Sequence, residues 1–262
     1  MKKFRKITLF LALCMLFGLA APAAHALDEP SLVAKDVVLA DVKSGRILYS
    51  KNMNDKVAPA SLTKIMTALI TVEAIESGEI SMDDIITAQS DCRTGMDEES
   101  STAGIVPGEK LSVQNLLYCA MLVSANEACN ILGTQLSGSI SAFVDRMNER
   151  AQLLGCTGTH FANTNGLTAD DHYTTAYDFY LISREAIKHP LFMQICTTDY
   201  YEVPATDYCD LRKLNNSNAL MSDGSIYGAD YLYEGTAGVK TGYTRAAGYC
   251  LVSTCLRGDV HL

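Results

Sequence analysis

The periodicity of the apolar residues changes twice along the chain, and the order of those changes limits the fold more than any other feature. "DVVLADVKSGRILYSKN", residues 36–52, is two short apolar runs around a Lys-Ser-Gly turn, which predicts a β-hairpin. A block of helical patterns follows. The first, in "VAPASLTKIMTALITVEAI", runs from Ser61 to near Gly78 and is predicted to bury one apolar face. A Pro-Gly turn comes next, and then Ser112, placed to cap the helix "VQNLLYCAML". The pattern breaks around Ser124–Asn126 and resumes in "EACNILGTQL". "ISAFVDRMNERAQLLGC" is an amphipathic helix ending at Gly155, and a loop rich in Gly, Asn, Thr and Asp covers residues 155–175. "AYDFYLISREAIKHP" is one more helix, ended by Pro190. Beyond it, "YYEVPATDY" and "AGYCLVSTCLRG" are strand-like. Strands at both ends around a helical block predict a mixed α/β (α+β) fold, in which an antiparallel sheet draws on both chain ends and an all-helical lobe is inserted between them.

The first 26 residues are of another kind. Lys2, Lys3, Arg5 and Lys6 precede the uncharged run "ITLFLALCMLFGLAA", Pro22 breaks it, and "AHA" ends at Ala26. This pattern predicts a cleavable secretory signal over residues 1–26. The run is about 15 residues, short of the roughly 20 that a membrane-spanning helix needs. The signal holds four of the 21 basic residues and none of the 30 acidic ones, so residues 27–262 carry a net charge of −13. Such a surface, with no Lys/Arg cluster, excludes nucleic acid as a partner. Eight cysteines follow the signal and none forms a CxxC pair; most lie in apolar segments and are expected to be buried free thiols, with no metal site. The chain stops at "RGDVHL", where another strand would begin, so the C-terminal part of the sheet is expected to lie beyond Leu262.

Three short motifs carry chemistry. In Ser61-Leu62-Thr63-Lys64, residues three apart share a helix face, and Ser61 lies where free N–H groups and the helix dipole favour developing negative charge. A serine hydroxyl needs an adjacent base, and Lys64 serves only if its amine is held neutral. Alone, the tetrapeptide favours the plainer reading, a serine N-cap with an ordinary helix lysine. Ser124-Ala125-Asn126 falls at the helix break, where a hydroxyl can relay a proton and an amide can donate and accept; a turn or cap is the plainer alternative, and Ser50-Lys51-Asn52 repeats the pattern. Lys240-Thr241-Gly242 on a strand edge can hold a carboxylate and let a substrate backbone lie close, or it can be a turn with an exposed lysine.

Taken in chain order, the three form the SxxK, SxN and KTG set of penicillin-binding proteins and serine β-lactamases. The blocks "PASLTKIMTALI", "SANEACN", "THFANTNGL", "DHYTTAYDF" and "GVKTGYTRAAGYCLV" closely resemble the low-molecular-weight penicillin-binding proteins. These are the serine-type D-alanyl-D-alanine carboxypeptidases of peptidase family S11, and the likeness runs from roughly Val33 to Cys255.

The resemblance implies a β-lactamase/DD-peptidase-like fold over residues 27–262. It makes Ser61 the nucleophile toward the bond between two terminal D-alanines of a peptidoglycan stem peptide. Lys64 accepts its proton, and Ser124 with Lys240 delivers a proton to the departing amine. Asn126 orients Lys64 and the substrate amide, Lys240 and Thr241 grip the terminal carboxylate, and Gly242 keeps the strand edge open. The N–H groups of Ser61 and Tyr243 form the oxyanion hole. Burial or a neighbouring positive charge is expected to lower the Lys64 pKa, and the charge of Lys240 is one such source. No cofactor and no metal are implied.

Class A β-lactamases carry a deacylating glutamate that "THFANTNGLTADDHY" lacks, so β-lactams are expected to acylate Ser61 and stay. Relatives often carry histidine where Asn165 stands, so Asn165 receives no catalytic role, and His160 and His172 are read as loop-stabilising. The expected location is the extracytoplasmic face of the cell envelope, with any membrane attachment through a C-terminal segment outside this chain. The rival readings are a DD-endopeptidase or transpeptidase, or a non-catalytic wall-binding or β-lactam-sensing module.

Overall fold

The structure, a computed structural model, describes residues 30–221 and 231–262; the expected signal lies outside the described residues. The chain divides into Met1–Ala34 and Lys35–Leu262, and every element named below lies in the second unit. β1 (Val37–Ala40) and β2 (Ile47–Lys51) pair antiparallel, Val37 opposite Lys51, as the predicted hairpin. The helical block then begins with a 3₁₀ turn, Ala60–Thr63, that leads directly into α1 (Lys64–Glu76).

α1 departs from the sequence reading. It is not buried on one face but nearly all round, with ten of its 13 residues inside, among them Lys64, Thr67 and Thr71. A helix surrounded by other helices shows no polar stripe. Its buried threonines are satisfied: Thr67 Oγ1 donates to the Thr164 carbonyl (2.6 Å) and Thr71 Oγ1 to that of Thr67 one turn back (2.8 Å). Packed around it are α2 (Val113–Leu122), α3 (Asn126–Ser137), α4 (Ile140–Leu153), α5 (Ala176–Ala186) and α6 (Pro190–Cys196).

Several of these helices start where side-chain chemistry dictates. Ser112, Ser139 and Thr175 each accept the N–H three residues on, from Asn115, Ala142 and Asp178. Pro190 does not end α5, which stops at Ala186; it is the first residue of α6, where its missing N–H costs nothing. α4 is tied to its neighbours by Arg150, whose guanidinium meets Glu73 of α1 (2.6 Å) and Glu185 of α5 (3.5 Å).

Among the described residues the strands pair in five two-stranded antiparallel ladders. β3 (Ile85–Thr87) joins β4 (Lys110–Ser112), and β5 (Tyr200–Val203) joins β6 (Arg212–Asn215). β7 (Lys240–Thr244) joins β8 (Gly248–Val252), and β9 (Leu256–Arg257) joins β10 (Val260–His261). The two ends of the unit meet where Val42 N–H donates to the His261 carbonyl (2.8 Å). A buried ion pair, Arg212 with both carboxylate oxygens of Glu109 (2.7 and 2.9 Å), anchors β6 beside β4. The eight cysteines after residue 26 are free thiols, five of them buried. Among the described residues no helix is long and apolar enough to cross a membrane.

Candidate active site

The site forms where the 3₁₀ turn, the α2–α3 link, the 163–167 loop and β7 converge. Ser61 sits in the 3₁₀ turn rather than in an α-helix, and residues three apart eclipse in that geometry. Ser61 Oγ therefore faces Lys64 Nζ at 3.0 Å.

Two other oxygens surround the same amine. Nζ donates to Asn126 Oδ1 (2.7 Å) and to the main-chain carbonyl of Asn165 (2.6 Å). Those two are pure acceptors, whereas the serine hydroxyl can donate. A cationic amine can donate to all three oxygens; once neutral, it can donate to the two pure acceptors and leave its lone pair toward Ser61 Oγ–H. Burial favours the neutral form. Lys64 is fully enclosed, and desolvation holds its pKa down to about 8 from the usual 10.5, with the nearby Cys129 and Glu127 acting the other way. Of the two causes open to the sequence reading, burial and a neighbouring positive charge, burial leads. Lys240, also buried, is pushed down to about 7, first by desolvation and then by the charge of Lys64. Its Nζ donates to the Thr241 carbonyl (3.0 Å).

Ser124 occupies the three-residue link between α2 and α3. Its φ of 62° is left-handed, a strained state for a residue with a Cβ, and among the described residues its buried Oγ has no hydrogen-bond partner. The link is pinned at both sides by Ala125 N–H to Cys119 O and Asn126 N–H to Ser101 O (3.0 Å each). Asn126 thus enters α3 with its amide oxygen already on Lys64.

Two glycines press on the nucleophile's turn. A Cβ on Gly166, itself at φ +96°, would lie 1.8 Å from the Ala60 carbonyl oxygen. A Cβ on Gly242 would lie 3.1 Å from Ser61 N, which places β7 against the nucleophile and carries Tyr243 past it, half exposed. Thr241 Oγ1 is bonded to Ser217 Oγ (2.6 Å), and Ser217 N–H in turn reaches the Leu122 carbonyl at the end of α2 (3.3 Å).

The structure thus brings together Ser61, Lys64 and Asn126 by direct contact, and Gly242 against Ser61. Lys240 shares the buried charge environment, while Ser124, Thr241 and Tyr243 are placed by their neighbours in sequence. Sequence reasoning missed the Asn165 carbonyl, Ser217 and the partners of His172. The "NTNG" loop did carry a signal: Asn163 Oδ1 accepts from Asn165 N–H (3.2 Å) and Gly166 N–H (2.7 Å), a side-chain-closed turn that aims the intervening carbonyl. His172 Nε2 contacts Thr63 Oγ1 (2.9 Å), within the nucleophile's own turn. His160, by contrast, contacts the Asp171 carbonyl (2.6 Å) within its loop.

Outside the site, Glu73, Glu185 and His189 come close enough to hold an ion, but Arg150 already bridges the two carboxylates.

Comparison with known proteins places the chain. The sequence is 36% identical to the Bacillus subtilis D-alanyl-D-alanine carboxypeptidase DacF over 87% of this chain and 55% of that protein. It is 32% identical to Escherichia coli D-alanyl-D-alanine carboxypeptidase DacA over 98% of this chain and 63% of that protein. The chain therefore spans somewhat over half the length of these relatives. Among solved structures, a D-alanyl-D-alanine carboxypeptidase from Mycobacterium tuberculosis superposes with a TM-score of 0.78 at 28% identity, covering 91% of this chain and 83% of that one. A Streptomyces DD-transpeptidase variant gives a TM-score of 0.78 at 28% identity, covering 89% of each. The family model described as D-alanyl-D-alanine carboxypeptidase matches residues 23–262, and the chain belongs to that family, peptidase S11.

Proposed function

We propose that this protein is a serine-type D-alanyl-D-alanine carboxypeptidase that trims the terminal D-alanine from peptidoglycan stem peptides. The observation that carries the reading is the enclosed three-oxygen environment of Lys64, whose Nζ lies 3.0 Å from Ser61 Oγ and within hydrogen-bond reach of Asn126 Oδ1 and the Asn165 carbonyl.

In this mechanism Lys64 Nζ takes the Ser61 Oγ–H proton as Oγ attacks the carbonyl between the two D-alanines. The oxyanion is held by the N–H groups of Ser61 and Tyr243, which Gly242 lets approach one another. Lys240 and Thr241 hold the terminal carboxylate. The partnerless hydroxyl of Ser124 passes a proton, with Lys240, to the departing D-alanine amine, and Asn126 keeps Lys64 and the substrate amide in register. Water then hydrolyses the acyl-enzyme on Ser61. β-Lactams acylate the same serine and remain, because the loop 159–173 offers no glutamate to direct water at the ester.

The catalytic domain comprises residues 27–262, residues 1–26 direct export, and the protein works on the extracytoplasmic side of the envelope. Likeness to a DD-transpeptidase favours a second acceptor besides water. The test is release of D-alanine from a peptide ending in D-Ala-D-Ala, with and without an added amine acceptor. Release is expected from the wild type and abolished in Ser61→Ala; release that survives the substitution overturns the assignment.

A further inference from the structure

His172 lies in the 160–175 loop, far from Ser61 in sequence, yet it ends on the nucleophile's turn. Its imidazole is buried, and its Nδ1 accepts the main-chain N–H of Ala162 (2.8 Å). An amide N–H can only donate, so Nδ1 carries no hydrogen and the ring hydrogen is on Nε2. Nε2–H must then donate to Thr63 Oγ1 (2.9 Å). That hydroxyl has one hydrogen, and it goes to the Ala60 carbonyl (2.9 Å). The direction of every bond from Ala162 to Ala60 is therefore fixed. Burial also holds the imidazole down to about 4, so it is neutral at ordinary pH.

The chain ends on a significant atom. The Ala60 carbonyl and the Ser61 N–H belong to one planar trans peptide and point in opposite directions. Whatever fixes that oxygen fixes that N–H. The peptide needs fixing, since Ala60 has a φ of 49°, in the left-handed region that residues with a Cβ avoid. Gly166 lies against the same oxygen on another side.

We infer that His172 is a positioning residue, which through Thr63 locks the Ala60–Ser61 peptide so that the Ser61 N–H faces the developing oxyanion. This rests on the reading of Ser61 as an acylated nucleophile. His172 touches no substrate; it acts on the transition state through one peptide plane.

The experiment measures acylation of the purified protein by a fluorescent penicillin, giving both the fraction of sites labelled at completion and the acylation rate constant of those sites. Thr63→Val and His172→Leu remove one link each, keeping shape. Losing an oxyanion donor outright slows acylation about 100- to 1000-fold, so a donor left in place but unaligned should slow it about 10- to 100-fold. Both variants are expected to show that loss with labelling still near one per chain. The double variant should be no slower than either single one, because the links act in series. His172→Gln, whose carboxamide offers one donor and one acceptor, should restore most of the rate. Wild-type rates in Thr63→Val and His172→Leu, or losses matched by a smaller labelled fraction, overturn the inference. So do losses that multiply in the double variant. A wild type that is not acylated at all instead overturns the reading of Ser61, and this inference with it.

Discussion

The state of Lys64 can be tested by pH. With a pKa of about 8 the amine is neutral in about 9% of molecules at pH 7 and about 1% at pH 6; at its ordinary 10.5 it would be neutral in about 0.03% at pH 7. Burial thus makes the base about 300-fold more available at pH 7, offset in part because a weaker base takes a proton less readily. The expected profile of kcat/KM for D-alanine release is bell-shaped: it rises about tenfold per pH unit below 7 as Lys64 loses its proton, and falls above 8 as Lys240, pushed down to about 7, loses the charge that holds the carboxylate. The same rising limb should appear in penicillin acylation, which needs the same proton transfer. A rate that still climbs tenfold per unit through about pH 9, or a midpoint near 10, would refute the claim that enclosure sets the base.

Stability should follow the same residue. The folded pKa lies below the unfolded one, so between about pH 8 and 10.5 the unfolded chain holds a proton that the folded one has released. Stability contributed by this group therefore rises with pH across that window, and the full penalty, about 3 kcal/mol, is present below it. Denaturant unfolding of wild type against Lys64→Met isolates the effect: the rise should be smaller in the variant, which keeps only the part that Lys240, also pushed down, contributes.

Three further perturbations probe what surrounds the base. Gly166→Ala drives a Cβ into the Ala60 carbonyl at a positive φ, so thermal unfolding should show a loss of at least about 2 kcal/mol together with slowed acylation; an unchanged Tm would mean the loop is not pressed on the turn. Glu109→Ala strands the buried Arg212 guanidinium and should cost about 3–5 kcal/mol in urea unfolding while leaving the chemistry of any folded fraction intact. Ser217→Ala frees the Thr241 hydroxyl, and KM for a carboxylate-terminated peptide should rise severalfold with kcat little changed; an equal fall in kcat would place Ser217 in the chemical step instead.

What sequence reading could reach was set by the kind of group involved. The hairpin, the Ser112 cap and the break at Ser124 are local, and each lies where turn chemistry and periodicity put it. Ser61 and Lys64 were legible because both contribute side chains at a fixed spacing. Asn165 was not, because it offers Lys64 a main-chain oxygen, which every residue possesses. His172 and Thr63 are 109 positions apart, and only the fold joins them. β3 and β4, three residues each, are too short to show a period. Pro190 misled because proline stops one helix and starts another by the same missing N–H.

The all-round enclosure of α1 has a consequence for how this protein fails. The Ser61–Lys64 pair spans the 3₁₀ turn and the first residue of a helix buried at ten of its 13 residues, so that junction cannot fray without opening the interior. Amides along α1 should exchange with deuterium only through events close to complete unfolding, in the slowest class of the molecule. A half-melted form with a working nucleophile has no place in such an arrangement. Heat should therefore remove acylation competence and tertiary structure in one transition.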